Sequence, residues 1–190
     1  MLRRMLASSA LAPAFLVALD VMLDSNFRRS VVLMLDHDPE RGAMGLVINR
    51  TTDVPLAQLC KTQDLRWLGP VTTRVDWGGP VGQDQGWVLL DDSAADGVEA
   101  VSLIPGVHWA RSREALKRVA ENPGATARVM LGYAGWAAGQ LEHEIAAGAW
   151  LVVPASRRIV FEEPLAACWE QAIRSLGIDP ALLVPSRGIN

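Results

Sequence analysis

Apolar residues in this chain come in short runs rich in Val, Leu and Ile, broken by Gly, Pro and Asp. That is the pattern of strands with helices inserted between them. "AFLVAL" (14–19) and "RSVVLMLDH" (29–37) read as buried strands, and "DPERG" turns the second into a hairpin partner, "AMGLVINR" (43–50). Pro55 opens a short helix, "PLAQLCKT" (55–62), where its missing N–H has no intrahelical partner to lose. "VDWGGPV" (75–81) reads as a strand ending in a rigid Gly78-Gly79-Pro80 bend, and "GWVLLDD" (86–92) as a further strand. "VEAVSLI" and "VHWA" are split by Pro105-Gly106, after which Ser112 caps the helix "REALKRVAEN" and Pro123-Gly124 stops it.

"ARVMLGY" is another strand and runs into "LGYAGWAAGQLEHEI" (131–145), an apolar run ending in three glycines followed by a helix-like segment. Downstream, "AWLVVPA" and "RIVFE" are expected to pair as strands around a turn. Pro164 starts a last helix, with Leu165, Cys168, Trp169, Ala172, Ile173 and Leu176 at helical spacing and Gly177 ending it. Hairpin-like groups beside strand–helix–strand units predict a mixed sheet in an α+β fold. No repeat or linker interrupts the pattern, so one domain over 1–190 is expected, with residues 1–13 as a ragged lead-in.

Composition narrows the partners. The 190 residues carry a net charge of -3, and the arginine pairs Arg3-Arg4, Arg28-Arg29 and Arg157-Arg158 are scattered. Phosphate-backbone affinity needs clustered Lys and Arg, so nucleic acid is disfavoured. The start imitates a signal peptide, but Pro13 and Asp20 interrupt its apolar stretch, and no window reaches the roughly 18 apolar residues of a membrane span. A cytoplasmic protein without membrane attachment is expected. Cys60 and Cys168 sit in apolar, helix-like surroundings without a CxxC and read as buried reduced thiols.

The glycine stretch offers two readings. A strand, a glycine-rich turn and a helix start can cradle an anion. However, Gly139-Gln140-Leu141 lacks the Lys-Ser/Thr of a phosphate loop, and no Lys or Arg occurs from Met130 to Pro154. The other reading is a strand-to-helix corner in which Gly132 and Gly135 allow positive φ or close backbone approach while Tyr133 and Trp136 fill the core. His37 lies between Asp36 and Asp38, and His143 lies between Glu142 and Glu144. Neither has a metal-ligand spacing, and no metal or cofactor is expected.

Taken together, "RSVVLMLDH", "GAMGLVINR", "GGPV", "GWVLL", "LGYAGWAAGQLE" and "AWLVVP" closely resemble the AlgH/YqgE family of bacterial proteins, from about Phe15 to Leu183. The resemblance implies a mixed α+β domain whose bifurcated sheet partly closes into a small barrel, surrounded by helices. Its motifs map onto Arg29 and Ser30, Gly42 to Asn49, Gly78 to Val81, Gly132 to Glu142, and Trp150 to Pro154. The chain departs from the family at Ala18-Leu19-Asp20, where Ala-x-Pro is usual. It departs again at Leu90 and in Gly188-Ile189-Asn190, where the family usually has histidine.

The family name carries a suggestion of transcriptional regulation. The missing histidines and the lack of a nucleophile–base set instead favour a non-catalytic binding or regulatory module for a protein partner or a small ligand. The candidate ligand-binding residues are Asn49, Gly79, Gly132, Tyr133, Gly135, Trp136, Gly139, Gln140 and Glu142. The alternative is an enzyme with its pocket at the same corner, in which burial would raise the pKa of Glu142 or Glu144 for acid–base work. Direct DNA binding is the least favoured reading.

Overall fold

The structure, a computed structural model, describes residues 11–183. Arg3-Arg4, most of the expected lead-in and Gly188-Ile189-Asn190 lie outside the described residues. The first part of the chain forms β1 (Ala14–Ala18), β2 (Val31–Asp38), β3 (Gly42–Val47), β4 (Thr51–Pro55), α1 (Leu56–Thr62) and β5 (Arg74–Trp77). The middle forms β6 (Val81–Leu90), α2 (Asp92–Ala95), β7 (Val101–Ile104), β8 (Val107–Ala110) and α3 (Arg113–Glu121). The remainder forms β9 (Ala127–Trp136), α4 (Gln140–Ala146), β10 (Trp150–Pro154), α5 (Arg157–Phe161), α6 (Cys168–Arg174) and a 3-10 turn at Pro180–Leu183.

The strands join in the order β10-β1-β2-β3-β9-β6-β8-β7, nearly all antiparallel. The ladder branches at β9. Its first half pairs with β6, its last residues pair with β3, and β5 runs parallel beside Met130 and Leu131, with β4 on its far side. The mixed α+β sheet matches the expectation, but the partial barrel does not. The path ends at β10 and β7 and the sheet stays open. Strand alternation sends neighbouring side chains to opposite faces of this sheet. Trp87 and Leu89 of β6 enter one apolar cluster with Phe15, Leu33 and Met130, while Val88 and Leu90 enter another with Leu116 and Val129. The sheet is therefore covered on both faces, one core lying on each.

A second correction concerns "RIVFE". It is not a strand but most of α5, whose Ser156 side chain accepts from the Ile159 N–H and whose Ile159 and Val160 are buried. The β-branched pair suggested a strand; the Ser cap and the burial of neighbouring Ile159 and Val160 decided for helix. The partner of β10 is β1. The last helix also starts later than Pro164, which instead heads a turn that ends in Cys168 N–H donating to the Pro164 carbonyl. Leu90, standing where the family usually has histidine, is fully buried in the second core. Cys60 and Cys168 are free, buried thiols in different cores, each pushed up by burial.

Candidate functional site

At the glycine corner two backbone segments cross with no side chain between them. A Cβ on Gly132, whose φ is +73°, would lie 2.3 Å from the Gly79 carbonyl oxygen, and one on Gly79 would lie 2.1 Å from the Tyr133 carbonyl carbon. Gly78 N–H donates to the Leu131 carbonyl and the Gly78 carbonyl accepts from Val47 N–H, both at 2.8 Å, so this bend stitches β3 to β9 where the ladder divides. Gly135 has no positive φ, and its Cβ would meet the edge of the Tyr133 ring at 3.2 Å. Gly139 differs. Its φ is +74° and nothing lies within 4 Å of a Cβ there, so it is a turn residue at the start of α4.

The polar candidates around this corner are engaged within the fold. Asn49 accepts from Val31 N–H through Oδ1 and donates from Nδ2 to the Arg29 carbonyl, both at 2.9 Å, which holds the turn before β2. Gln140 accepts from Ala137 N–H at 3.0 Å and donates to Glu144 at 2.8 Å. The other oxygen of Glu144 accepts the indole N–H of Trp136 at 2.9 Å and of Trp150 at 2.7 Å. Phe27 packs against both indoles, so the three rings close on one another. Trp136 is buried, and Tyr133 is half-buried against Trp87.

The structure also joins His37 to Glu142 across 105 residues, at 2.8 Å between Nε2 and Oε1. His37 Nδ1 accepts the Leu11 N–H at 3.1 Å, so the ring proton is assigned to Nε2, which donates to Glu142. The Glu142 N–H and then His37 hold the Glu142 carboxyl below the ordinary value of 4.5, opposite to what a general acid needs. A depressed carboxylate contributes stability that is present above its unfolded pKa and lost as pH falls through the folded value. Glu142→Gln should therefore lower Tm at pH 7, and its gap from wild type should narrow below about pH 4.5 in a melting series. A gap that does not change with pH contradicts the pairing.

An open site lies elsewhere. Gly86 and Val88 of β6 face the same way as their β9 partners Leu131 and Val129, forming an apolar floor. Leu59 of α1 and Leu116 of α3 wall a cleft of about 240 Å³ over this floor. Its polar rim carries Gln63, Asp84, Arg111, Ser112 and Arg113. Gly86 has no positive φ and nothing within 4 Å of a Cβ, so its missing side chain is a notch in the floor. The Arg111 guanidinium lies 4.3 Å from the centroid of the Trp87 ring and donates to Gln85 at 2.9 Å. Arg113 donates from Nε and Nη2 to the Gln63 carbonyl, at 3.1 and 2.9 Å, tying the start of α3 to the end of α1. Ser112 caps α3 by accepting from Ala115 N–H.

A second cleft, of about 270 Å³, includes Trp67, Asp76 and Arg128 in its lining. Arg128 Nε donates to Asp76 Oδ2 at 2.8 Å, and Nη2 lies 2.7 Å from the same oxygen without the alignment of a hydrogen bond. The side chains are 11% and 14% exposed respectively. Burial pushes the Asp76 carboxyl up, and the Arg128 guanidinium pulls part of that back.

None of the candidate residues named from the sequence lines either cleft. One signal could have found the first: an isolated glycine inside a strand pattern, which marks a bulge or a place where a ligand approaches. Among the described residues no group of three or more His, Cys, Asp or Glu is arranged to hold a metal, and no helix is long and apolar enough to cross a membrane. Three arginines of the described pairs, Arg29, Arg157 and Arg158, are engaged within the fold. Arg157 and Arg158 pair with Glu162 and Glu163, and Arg29 lies over Trp169 within 3.6 Å of Glu170.

Residues 15–181 match the model of the AlgH-like family. A UPF0301 protein of Myxococcus xanthus is 43% identical over 181 residues, covering 95% of this chain and 98% of its own length. One from Laribacter hongkongensis is 43% identical over 177 residues, covering 92% and 94%. The solution structure of the AlgH protein from Pseudomonas aeruginosa superimposes with a TM-score of 0.74 at 32% identity, covering 97% of this chain and 98% of that one. With such coverage by the family model and its relatives, the chain belongs to the AlgH-like family.

Proposed function

We propose that this protein is a non-catalytic binding module that takes a small ligand in the cleft between α1 and α3. The observation that carries the reading is the notch at Gly86, open space in an otherwise apolar ladder face beneath a polar rim. Apolar walls with a few convergent polar groups are the usual make-up of a ligand pocket. The groups that would support catalysis are committed elsewhere. His37 has both ring nitrogens engaged, His108 is paired with Asp92 at 2.7 Å, and burial holds both thiols away from thiolate. A regulatory role would follow if the ligand governs a protein partner.

The test is ligand-observed NMR with a metabolite panel on wild type and Gly86→Val. Valine suits a strand better than glycine, so the variant should be as stable as wild type or gain about 0.5–1 kcal/mol. Compounds that bind wild type should lose binding in the variant and be recovered chemically unchanged. Turnover of a bound compound, or binding that survives Gly86→Val, contradicts the reading.

A further inference from the structure

We infer that His37 is a proton-operated latch, which holds the segment before β1 while its ring is neutral and releases it when the ring is protonated. The ring lies between two bonds of opposite kind. Nε2 donates to Glu142 on α4 at 2.8 Å, whereas the Nδ1 lone pair accepts the Leu11 N–H at 3.1 Å. A second proton on the imidazole can go only to Nδ1, because Nε2 already carries the first. There it turns an acceptor into a donor that faces the Leu11 donor. The proton and the Leu11 N–H therefore compete for one lone pair, and each excludes the other.

The surroundings leave this conflict one way out. The His37 side chain is 3% exposed, so no solvent accepts the new N–H while Leu11 stays in place. The charge itself is accommodated, because Glu142 lies against the opposite nitrogen and its carboxyl is held below the ordinary value. The bond to α4 thus strengthens as the bond to Leu11 is lost. Other charges near the ring are paired or turned away. Asp38 pairs with Arg41 at 2.7 Å, and Asp36 is exposed and points to the other face of the strand. On α4, Glu144 holds two indoles and Gln140, and His143 is exposed. β3 places Ala43 opposite His37 and brings no charge. Leu11 and Ala12 are only half-buried, and they precede the ladder that starts at Ala14. This segment gives way before β2 or α4 does, and water takes the place of the Leu11 amide at Nδ1.

The experiment follows two signals in wild type through one pH titration. Long-range nitrogen–proton NMR correlation reads the His37 ring, and hydrogen exchange gives the amide protection factors. The expected result is a ring that carries its proton on Nε2 when neutral and takes the second on Nδ1. The Leu11 protection factor should fall about tenfold with the same midpoint. The amides of β1, which lies between β2 and β10, should keep theirs. Leu11→Pro removes the competing N–H and leaves His37 in place. Its ring should titrate at a higher pH than in wild type, by roughly 0.4–1 pH unit, the worth of one hydrogen bond. The wild-type signals decide the question even where that variant does not fold. A neutral ring protonated on Nδ1, or a Leu11 amide still protected after the ring is charged, would overturn the latch. So would loss of protection in β1 together with Leu11, or a ring that takes no second proton before the protein unfolds. A Leu11→Pro ring that titrates at or below the wild-type pH would overturn it as well.

Discussion

Gly132→Ala should destabilise the protein by about 2–5 kcal/mol, the sum of a left-handed backbone strain of about 1–2 kcal/mol and an overpacking term of about 1–3 kcal/mol. The added Cβ would stand 2.3 Å from the Gly79 carbonyl oxygen, and that oxygen belongs to the bend joining β3 to β9. Backbone cannot swing aside as a flexible side chain can. Gly139→Ala is the control. It has nearly the same φ but nothing within 4 Å, so only the strain of about 1–2 kcal/mol applies. Urea unfolding of the two variants checks the difference. Equal losses would mean that the crossing is not held by close backbone approach.

The second large effect is at the buried ion pair. Asp76→Ala leaves the Arg128 guanidinium without its carboxylate at 11% exposure, and breaking a buried pair in this way typically costs about 3–5 kcal/mol. Replacing both, with Asp76→Val and Arg128→Met, should recover much of that loss, because the pair offsets its own desolvation and leaves little surplus. Arg128 also donates to the Val160 carbonyl at 3.0 Å, so the recovery will be incomplete. The pH dependence carries a definite sign. A carboxyl pushed up by burial contributes most below its ordinary value of 3.8, and that contribution falls as pH rises through the folded value. Chemical denaturation of wild type and the two variants decides the point. A double variant no more stable than Asp76→Ala would make the pair a net stabiliser.

The strands were legible where a run of Val, Leu and Ile was long and bounded, as in Val31–Leu35 and Trp150–Val153, and caps such as Ser112 showed as written. Residues 157–161 misled because Ile159 and Val160 favour a strand locally, while burial against the first core sets them in a helix. Barrel closure came from the family resemblance. The sheet instead ends at β10 and β7, and no local pattern reports the order in which distant strands pair. The glycine corner was readable as a corner, but its polar neighbours were not readable as engaged. The partners of Asn49 and Glu142 lie 18 and 105 residues away. The cleft went unseen because it draws on α1, β6, α3 and β9, each of which alone looks like ordinary core or an ordinary cap.

The central claim is that a ligand enters at Gly86 and not at the glycine corner. The most direct test is a thermal-shift screen of wild type, Gly86→Val and Gly139→Ala against carboxylates, nucleotides, phosphorylated metabolites and divalent metals. A ligand at about 100 times its Kd adds roughly 2.7 kcal/mol, or about 5–10 °C in Tm for a chain of this size. The account predicts a shift with at least one of these ligands that is kept in Gly139→Ala and lost in Gly86→Val. A shift lost in Gly139→Ala and kept in Gly86→Val would return the site to the start of α4 and contradict the account.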